Sequence, residues 1–229
     1  MARFTVHSLE GTNYVTATLE NESIRAEAGA LCYMVGDIVI RSPRWIGPWT
    51  RFKAMMAGET AARPTYTGTG TITLESSLAG FAVVTLGQVD WLLEPGAYWA
   101  SDSTVDVTYH RERMMTSLWA GEGFVYLQTR VRGSGQCVLH TRGPIEELVI
   151  EGGQRVVAEP PYVIARTANV RMRVRRATKN FWGRRNAGEP YIREYRTDDS
   201  RPGRLLVNPA PYWRQVLLKE KLTTHIAAT

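Results

Sequence analysis

The chain reads as an all-β protein built from one unit used three times, and three observations predict it. The first is a turn, a short step and an alternating strand that recur in order. Glu27-Ala28-Gly29-Ala30 leads through Val35-Gly36-Asp37 into Ile38-Val39-Ile40. Glu94-Pro95-Gly96-Ala97-Tyr98 leads through Asp102-Ser103-Thr104 into Val105-Asp106-Val107-Thr108-Tyr109. Glu159-Pro160-Pro161-Tyr162 leads through Thr167-Ala168-Asn169 into Val170-Arg171-Met172-Arg173-Val174, so the periods are 67 and 65 residues. The second observation is Ala57-Gly58-Glu59, Ala120-Gly121-Glu122 and Ala187-Gly188-Glu189, spaced by 63 and 67 residues. The third is a Gly turn closing the extended stretch after each: Thr67-Gly68-Thr69-Gly70, Arg132-Gly133-Ser134-Gly135 and Arg201-Pro202-Gly203. Three landmarks in one order predict a triplicated β unit in a pseudo-threefold arrangement, with short helical or irregular insertions. Residues 1–207 form the triplicated domain, with repeats at about 4–66, 67–131 and 132–207, and residues 208–229 form a C-terminal extension.

A chain of 229 residues, 44% of them hydrophobic, can bury a full core as one large β domain or two small ones. Cys32 and Cys137, the two cysteines, lie in apolar runs, which predicts buried, reduced thiols acting as small hydrophobes. The N-terminus lacks the apolar core of a signal peptide. The longest charge-free apolar stretch, Ala28 to Gly36, is far short of the roughly 20 residues of a spanning helix. A cytoplasmic protein able to associate peripherally with a membrane is expected.

The net charge of +6 is unevenly spread. Residues 155–214 hold 14 Lys and Arg against 5 Asp and Glu, whereas residues 1–154 hold 12 against 16. A basic third repeat permits binding to nucleic acid, an anionic membrane or an acidic protein face without choosing among them.

In order along the chain, Phe4-Thr5-Val6-His7 and Tyr14-Val15-Thr16-Ala17-Thr18-Leu19 predict strands joined by a turn at Glu10 to Asn13. Asn21-Glu22-Ser23 predicts a polar turn. The Glu-x-Gly step suits a tight turn because Gly tolerates positive φ, and Pro in the later copies pre-sets φ instead. Alternation turns Ile38 and Ile40 inward, with Val105, Val107 and Tyr109, then Val170, Met172 and Val174, in the later copies. Outward, Asp106, Thr108 and His110 become Arg171, Arg173 and Arg175. That row reads either as a solvated edge strand kept from aggregating by its charge or as a binding face for phosphates or an acidic partner.

Insertions rich in Trp, Met and basic residues follow each such strand. They supply Trp45, Trp49 and Phe52, then Met114, Met115 and Trp119, then Trp182, Arg184 and Arg185. Arg51 to Met56 predicts a short helix, with Gly47 and Pro48 keeping the part before it irregular. These side chains either plug a barrel end or subunit contact, or, with Arg171, Arg173, Arg175 and Arg176, form a partner-binding surface. In the extension, Trp213 and Leu217 fit one helical face or a strand, with oligomer contact the leading role.

Catalytic signatures are nearly absent. His7, His110, His140 and His225 have no metal-binding spacing, and no Gly-x-Ser-x-Gly elbow occurs. Glu59, Glu122 and Glu189 recur by repetition, which favours backbone capping over acid–base work. The chain is expected to be no enzyme and to need no metal and no cofactor.

The series Glu22 to Gly36, Ala-Gly-Glu before an extended run, Glu94-Pro95-Gly96-Ala97-Tyr98-Trp99-Ala100 and Gly121-Glu122-Gly123-Phe124 resembles the altered-inheritance-of-mitochondria protein 24 family over roughly Phe4 to Val207. That family is also described by its similarity to the tryptophan RNA-binding attenuation protein, TRAP. The resemblance implies a TRAP-like double-stranded β-helix or barrel and a homo-oligomer, a trimer before other states. It carries over no catalytic residues. The chain departs from the family pattern in Glu159-Pro160-Pro161, the Arg-rich stretch and the extension. The leading reading is a homo-oligomeric scaffold for a protein or membrane-surface partner; the alternative is an RNA or single-stranded nucleic-acid binder.

Overall fold

Glu10 and Gly11, at φ 49° and 81°, close a two-residue hairpin between β1 (Arg3–Leu9) and β2 (Thr12–Ala26). The computed structural model in which this is seen describes residues 1–42, 47–56, 62–87, 89–114, 124–176, 191–197 and 201–209. β3 (Leu31–Arg41), α1 (Pro48–Met56), β4 (Thr65–Ser77) and β5 (Gly80–Leu86) follow. Next come β6 (Trp91–Leu93), β7 (Tyr98–Asp102), β8 (Val105–Met114), β9 (Phe124–Gly133), β10 (Gly135–Thr141), β11 (Glu146–Ile150) and β12 (Arg155–Ala158). A 3-10 turn at Pro160–Tyr162 precedes β13 (Val163–Thr167), β14 (Val170–Arg176), β15 (Tyr191–Thr197) and β16 (Gly203–Val207).

The strands form three antiparallel sheets. In the first, the order is β3-β4-β2-β7-β10-β5, with β1 also on β2; in the second it is β11-β16-β13-β6-β9-β8; in the third it is β12-β15-β14. The expected all-β class holds. The barrel does not: among the described residues each sheet ends in unpaired edges. The reason lies in the steps at Asp102-Ser103-Thr104 and Thr167-Ala168-Asn169, which pass the chain on to the next sheet instead of back to its own. β7 and β10 pair in the first sheet while β8 and β9, their continuations, pair in the second. In the same way β13 and β16 lie in the second sheet while β14 and β15 pair in the third.

The three Glu-led turns form as expected. Each is closed by a backbone bond onto its own Glu carbonyl: Ala30 N–H to Glu27 O at 3.1 Å, Ala97 to Glu94 at 3.0 Å and Tyr162 to Glu159 at 3.2 Å. In the third, two prolines convert the turn to a 3-10 step. α1 begins at Pro48, earlier than expected, because proline at a first helical position loses no bond that the helix needs.

Inward-pointing residues supply three apolar clusters. The first holds Val15, Leu19, Ile24, Ile72 and Leu74; the second Trp91, Leu93, Tyr98, Val105 and Leu139; the third Ile150, Val170, Met172, Tyr195 and Leu205. The expected inward set is met at Ile38, Val105, Val170 and Met172, all buried, but Ile40 is exposed because β3 is an edge strand.

Three further expectations are corrected on or beside that edge. Thr67-Gly68-Thr69-Gly70 is no turn but the interior of β4, and Val35-Gly36-Asp37 runs uninterrupted through β3, with Gly36 opposite Gly70 and Ile38 opposite Gly68. Asn21 is no turn either. It is a bulge in β2, at φ 59°, held by its N–H to Thr69 Oγ1 at 3.0 Å. Cys137 is buried as expected, whereas Cys32 is exposed on β3, and among the described residues neither forms a disulfide. The three Ala-Gly-Glu copies and the extension beyond Pro209 lie outside the described residues.

His140 of β10 sits 2.8 Å from Ser77 Oγ through Nε2, against the rings of Phe81 and Trp99. Burial, and then Arg142, lower its pKa below the ordinary 6.5. The unfolded chain therefore takes up this proton first as the pH falls. Stability is full above 6.5, declines below it and levels off under the folded-state pKa. Urea midpoints from pH 7.5 to 5 should show this decline, and His140→Gln should flatten it. An unchanged slope would assign the decline to other groups.

Candidate functional site

The third sheet turns one face inward and the other outward, and sequence alternation sets which residues go where. β15 lies between β12 and β14, and the register aligns Arg155 and Arg171 with Arg196, Val157 and Arg173 with Glu194, and Arg175 with Ile192. The outward face thus carries five arginines around one carboxylate. Glu194 is only 7% exposed although it points away from the core. It is covered by guanidinium groups. Arg175 Nη1 donates to its Oε2 at 2.6 Å, Arg196 Nε to its Oε1 at 2.6 Å, and Arg155 Nη1 stands 3.9 Å away. Arg175, and then Arg196, hold the carboxyl below the usual carboxylate range, so it stays ionised. Arg171, Arg173, Glu194 and Arg196 line an open depression of about 90 Å³.

The inward face of the same sheet carries a buried charge pair. Arg193 Nη1 donates to Glu94 Oε2 at 2.7 Å, across 99 residues of chain. Glu94 also accepts from Tyr126 Oη and from Gln128 Nε2, the latter at 2.8 Å. Gln128 Oε1 in turn accepts from Arg166 Nη2 at 3.1 Å, and the Arg193 guanidinium lies over the Tyr126 ring at 4.9 Å. Burial alone would lower the Arg193 pKa; Glu94 and the flanking Tyr126 and Tyr195 outweigh it, so the net shift is upward and the charge is fixed. Burial pushes the Tyr195 hydroxyl up to about 12. Glu27, at the matching turn upstream, stands 3.7 Å from Arg63, which donates to Tyr109 Oη at 3.2 Å. These groups hold each other and tie the turns to neighbouring sheets. Among the described residues no group of three His, Cys, Asp or Glu is placed to hold a metal ion.

Of the residues singled out in the sequence, the fold brings Arg171, Arg173 and Arg175 onto one exposed row. Arg176 ends β14 and Met114 ends β8, but the side chains of both lie outside the described residues. So do Trp45, Met115, Trp119, Trp182, Arg184 and Arg185 entirely. Trp49 and Phe52 lie on α1, stacked with centroids 5.5 Å apart, and are 67% and 45% exposed. Sequence reasoning missed Arg155, Arg196 and Glu194. The alternation Ile192, Glu194, Arg196 was readable, but not the pairing that puts it beside the β14 row.

A second exposed surface follows β3. Tyr33, Met34, Val35, Val39 and Ile40 are all exposed on this edge strand, an unusual length of uncovered apolar edge. Among the described residues no helix is long and apolar enough to cross a membrane.

A family model described as mitochondrial biogenesis AIM24 matches residues 5–197. The crystal structure of protein SPYM3_0169 from Streptococcus pyogenes is similar in fold, with a TM-score of 0.68 and 18% identity over 97% of this chain and 100% of that one. None of the curated proteins matches the chain.

Proposed function

The chain belongs to the mitochondrial biogenesis AIM24 family, and from that premise we propose that it is a non-enzymatic β scaffold that assembles with copies of itself and holds a protein or membrane-surface partner. The assembly is a trimer of TRAP-like units, as the family resemblance implies, and each unit is the triplicated β arrangement that the recurring landmarks suggest. The observation that carries this reading is the uncovered apolar edge of β3, together with the stacked Trp49 and Phe52 on α1. Exposed apolar surface of this kind marks an interaction site in a stable protein. The arginine face of the third sheet supplies the contact for an anionic partner. The non-enzymatic part is supported by the way Glu94, Arg193, Gln128 and Arg166 are committed to one another.

The test is the native mass of the purified chain, set against a Val35→Lys/Val39→Lys variant and a Trp49→Ser/Phe52→Ser variant. The wild type should run as a trimer, and the β3 variant as a single chain with its β spectrum intact. The α1 variant should lose either assembly or partner recovery. A wild type that is a single chain at all concentrations would overturn the assembly reading.

A further inference from the structure

Resting on the reading of the third sheet as a partner contact, we propose that the open edge of β14 takes up an extended acidic segment of another protein as an added strand. Two independent features meet there. β14 pairs with β15 on one side only, so among the described residues its other side presents backbone N–H and C=O groups to no strand. The same strand carries Arg171, Arg173 and Arg175 at two-residue spacing on its exposed face. In an extended chain such side chains stand roughly 6.5–7 Å apart, which is also the repeat of alternate side chains in a strand laid beside it. Directly opposed residues of paired strands have Cβ atoms roughly 4.5–5.5 Å apart. Carboxylates at every second position of the incoming segment would therefore each face one guanidinium.

Charge selects the occupant. Among the described residues the face carries Arg155, Arg171, Arg173, Arg175 and Arg196 against Glu194, which already lies beneath its donors. A second β14 would set arginines against arginines, so the row that repels self-pairing favours an acidic strand. A peptide also suits the edge better than a nucleic acid or a bilayer does. The edge offers donors and acceptors alternately, and a peptide backbone satisfies both whereas phosphate oxygens only accept. Among the described residues the apolar side chains on this face, Val157 and Ile192, are aliphatic and give bases no ring to stack on.

The test uses the full chain and a fluorescein-labelled peptide with Glu at alternate positions and Thr or Val between them. Fluorescence anisotropy should show saturable binding that weakens with salt. Two controls read the two features separately: the same composition with its Glu residues in one block, and the alternating peptide N-methylated on the backbone groups that would face β14. Each should bind roughly tenfold more weakly or not at all. Arg171→Glu/Arg173→Glu should abolish binding while leaving the native particle mass unchanged. If that variant does not fold, the N-methylated peptide still decides the matter on the wild-type chain. No saturable binding, or equal binding by all three peptides, would overturn the proposal. So would vesicles of anionic phospholipid or a single-stranded oligonucleotide binding tightly and displacing the peptide whether or not it is N-methylated. A failed peptide with an intact trimer would leave the scaffold reading standing, whereas a monomeric wild type that binds the peptide would remove the scaffold and keep the strand site.

Discussion

Arg193→Met is expected to destabilise the fold by about 3–5 kcal/mol, because it leaves the Glu94 carboxylate buried without a countercharge. Arg193 and Glu94 are 6% and 8% exposed and joined at 2.7 Å, so little solvent screens either charge. The two neutral donors that remain, Tyr126 and Gln128, cannot replace a cation. Glu94→Gln should be costly for the converse reason, a stranded guanidinium between Tyr126 and Tyr195. The double variant should cost clearly less than the sum, since it removes both charges at once. Urea denaturation at neutral pH measures all three.

The contrast lies within the same protein. Arg204 pairs with Glu147 through two bonds, but the side chains are 46% and 39% exposed, so Arg204→Met should cost no more than about 1 kcal/mol. If Arg193→Met costs no more than Arg204→Met, the inner pair does not hold the second and third sheets together.

Glu94 also marks the limit of what could be read in the sequence. Its turn was legible, because Glu94-Pro95-Gly96 carries its own backbone chemistry. Its partner was not legible: Arg193 lies 99 residues on, and no local pattern links an acid in a turn to a base in a distant strand. The strand alternation at Val105, Val170 and Met172 was read correctly because a period of two is a local property. Ile40 and Cys32 were misplaced because whether a strand lies at an edge depends on which neighbours it finds. The Arg171, Arg173 and Arg175 row was legible for the same reason as the inward set. Its enclosure of Glu194, with Arg155 and Arg196 from flanking strands, needed the register. Gly68 and Gly70 were taken for a turn because closely spaced glycines usually mark one. Here they answer a different need, the close approach of two backbones.

That approach sets the last expectation. β4 lies between β2 and β3, with Gly70 opposite Leu19 on one side and Gly36 on the other. Gly36 and Gly70 have φ of 117° and 149°, a region that residues with a Cβ rarely adopt. A Cβ on Gly36 would lie 2.5 Å from the Thr69 carbonyl oxygen and 2.7 Å from the Gly70 Cα. One on Gly70 would run into the Val35 carbonyl, which is backbone and cannot swing aside. Gly70→Ala should therefore cost about 2–3 kcal/mol or more and push β3 away from the first sheet. Gly153 is the matched control: it too has positive φ, 82°, but a Cβ there meets nothing within 4 Å, so Gly153→Ala should cost only about 1 kcal/mol. Because β3 carries the uncovered apolar edge, Gly70→Ala should also shed subunits while Gly153→Ala keeps the native mass. Gly36→Ala, confined to the edge strand, should cost less stability than Gly70→Ala but shed subunits equally. Urea midpoints and native mass on these three variants decide both points. Equal midpoints for Gly70→Ala and Gly153→Ala would refute the close approach of β3 and β4. A lowered midpoint with unchanged mass would keep the approach and take β3 out of the assembly.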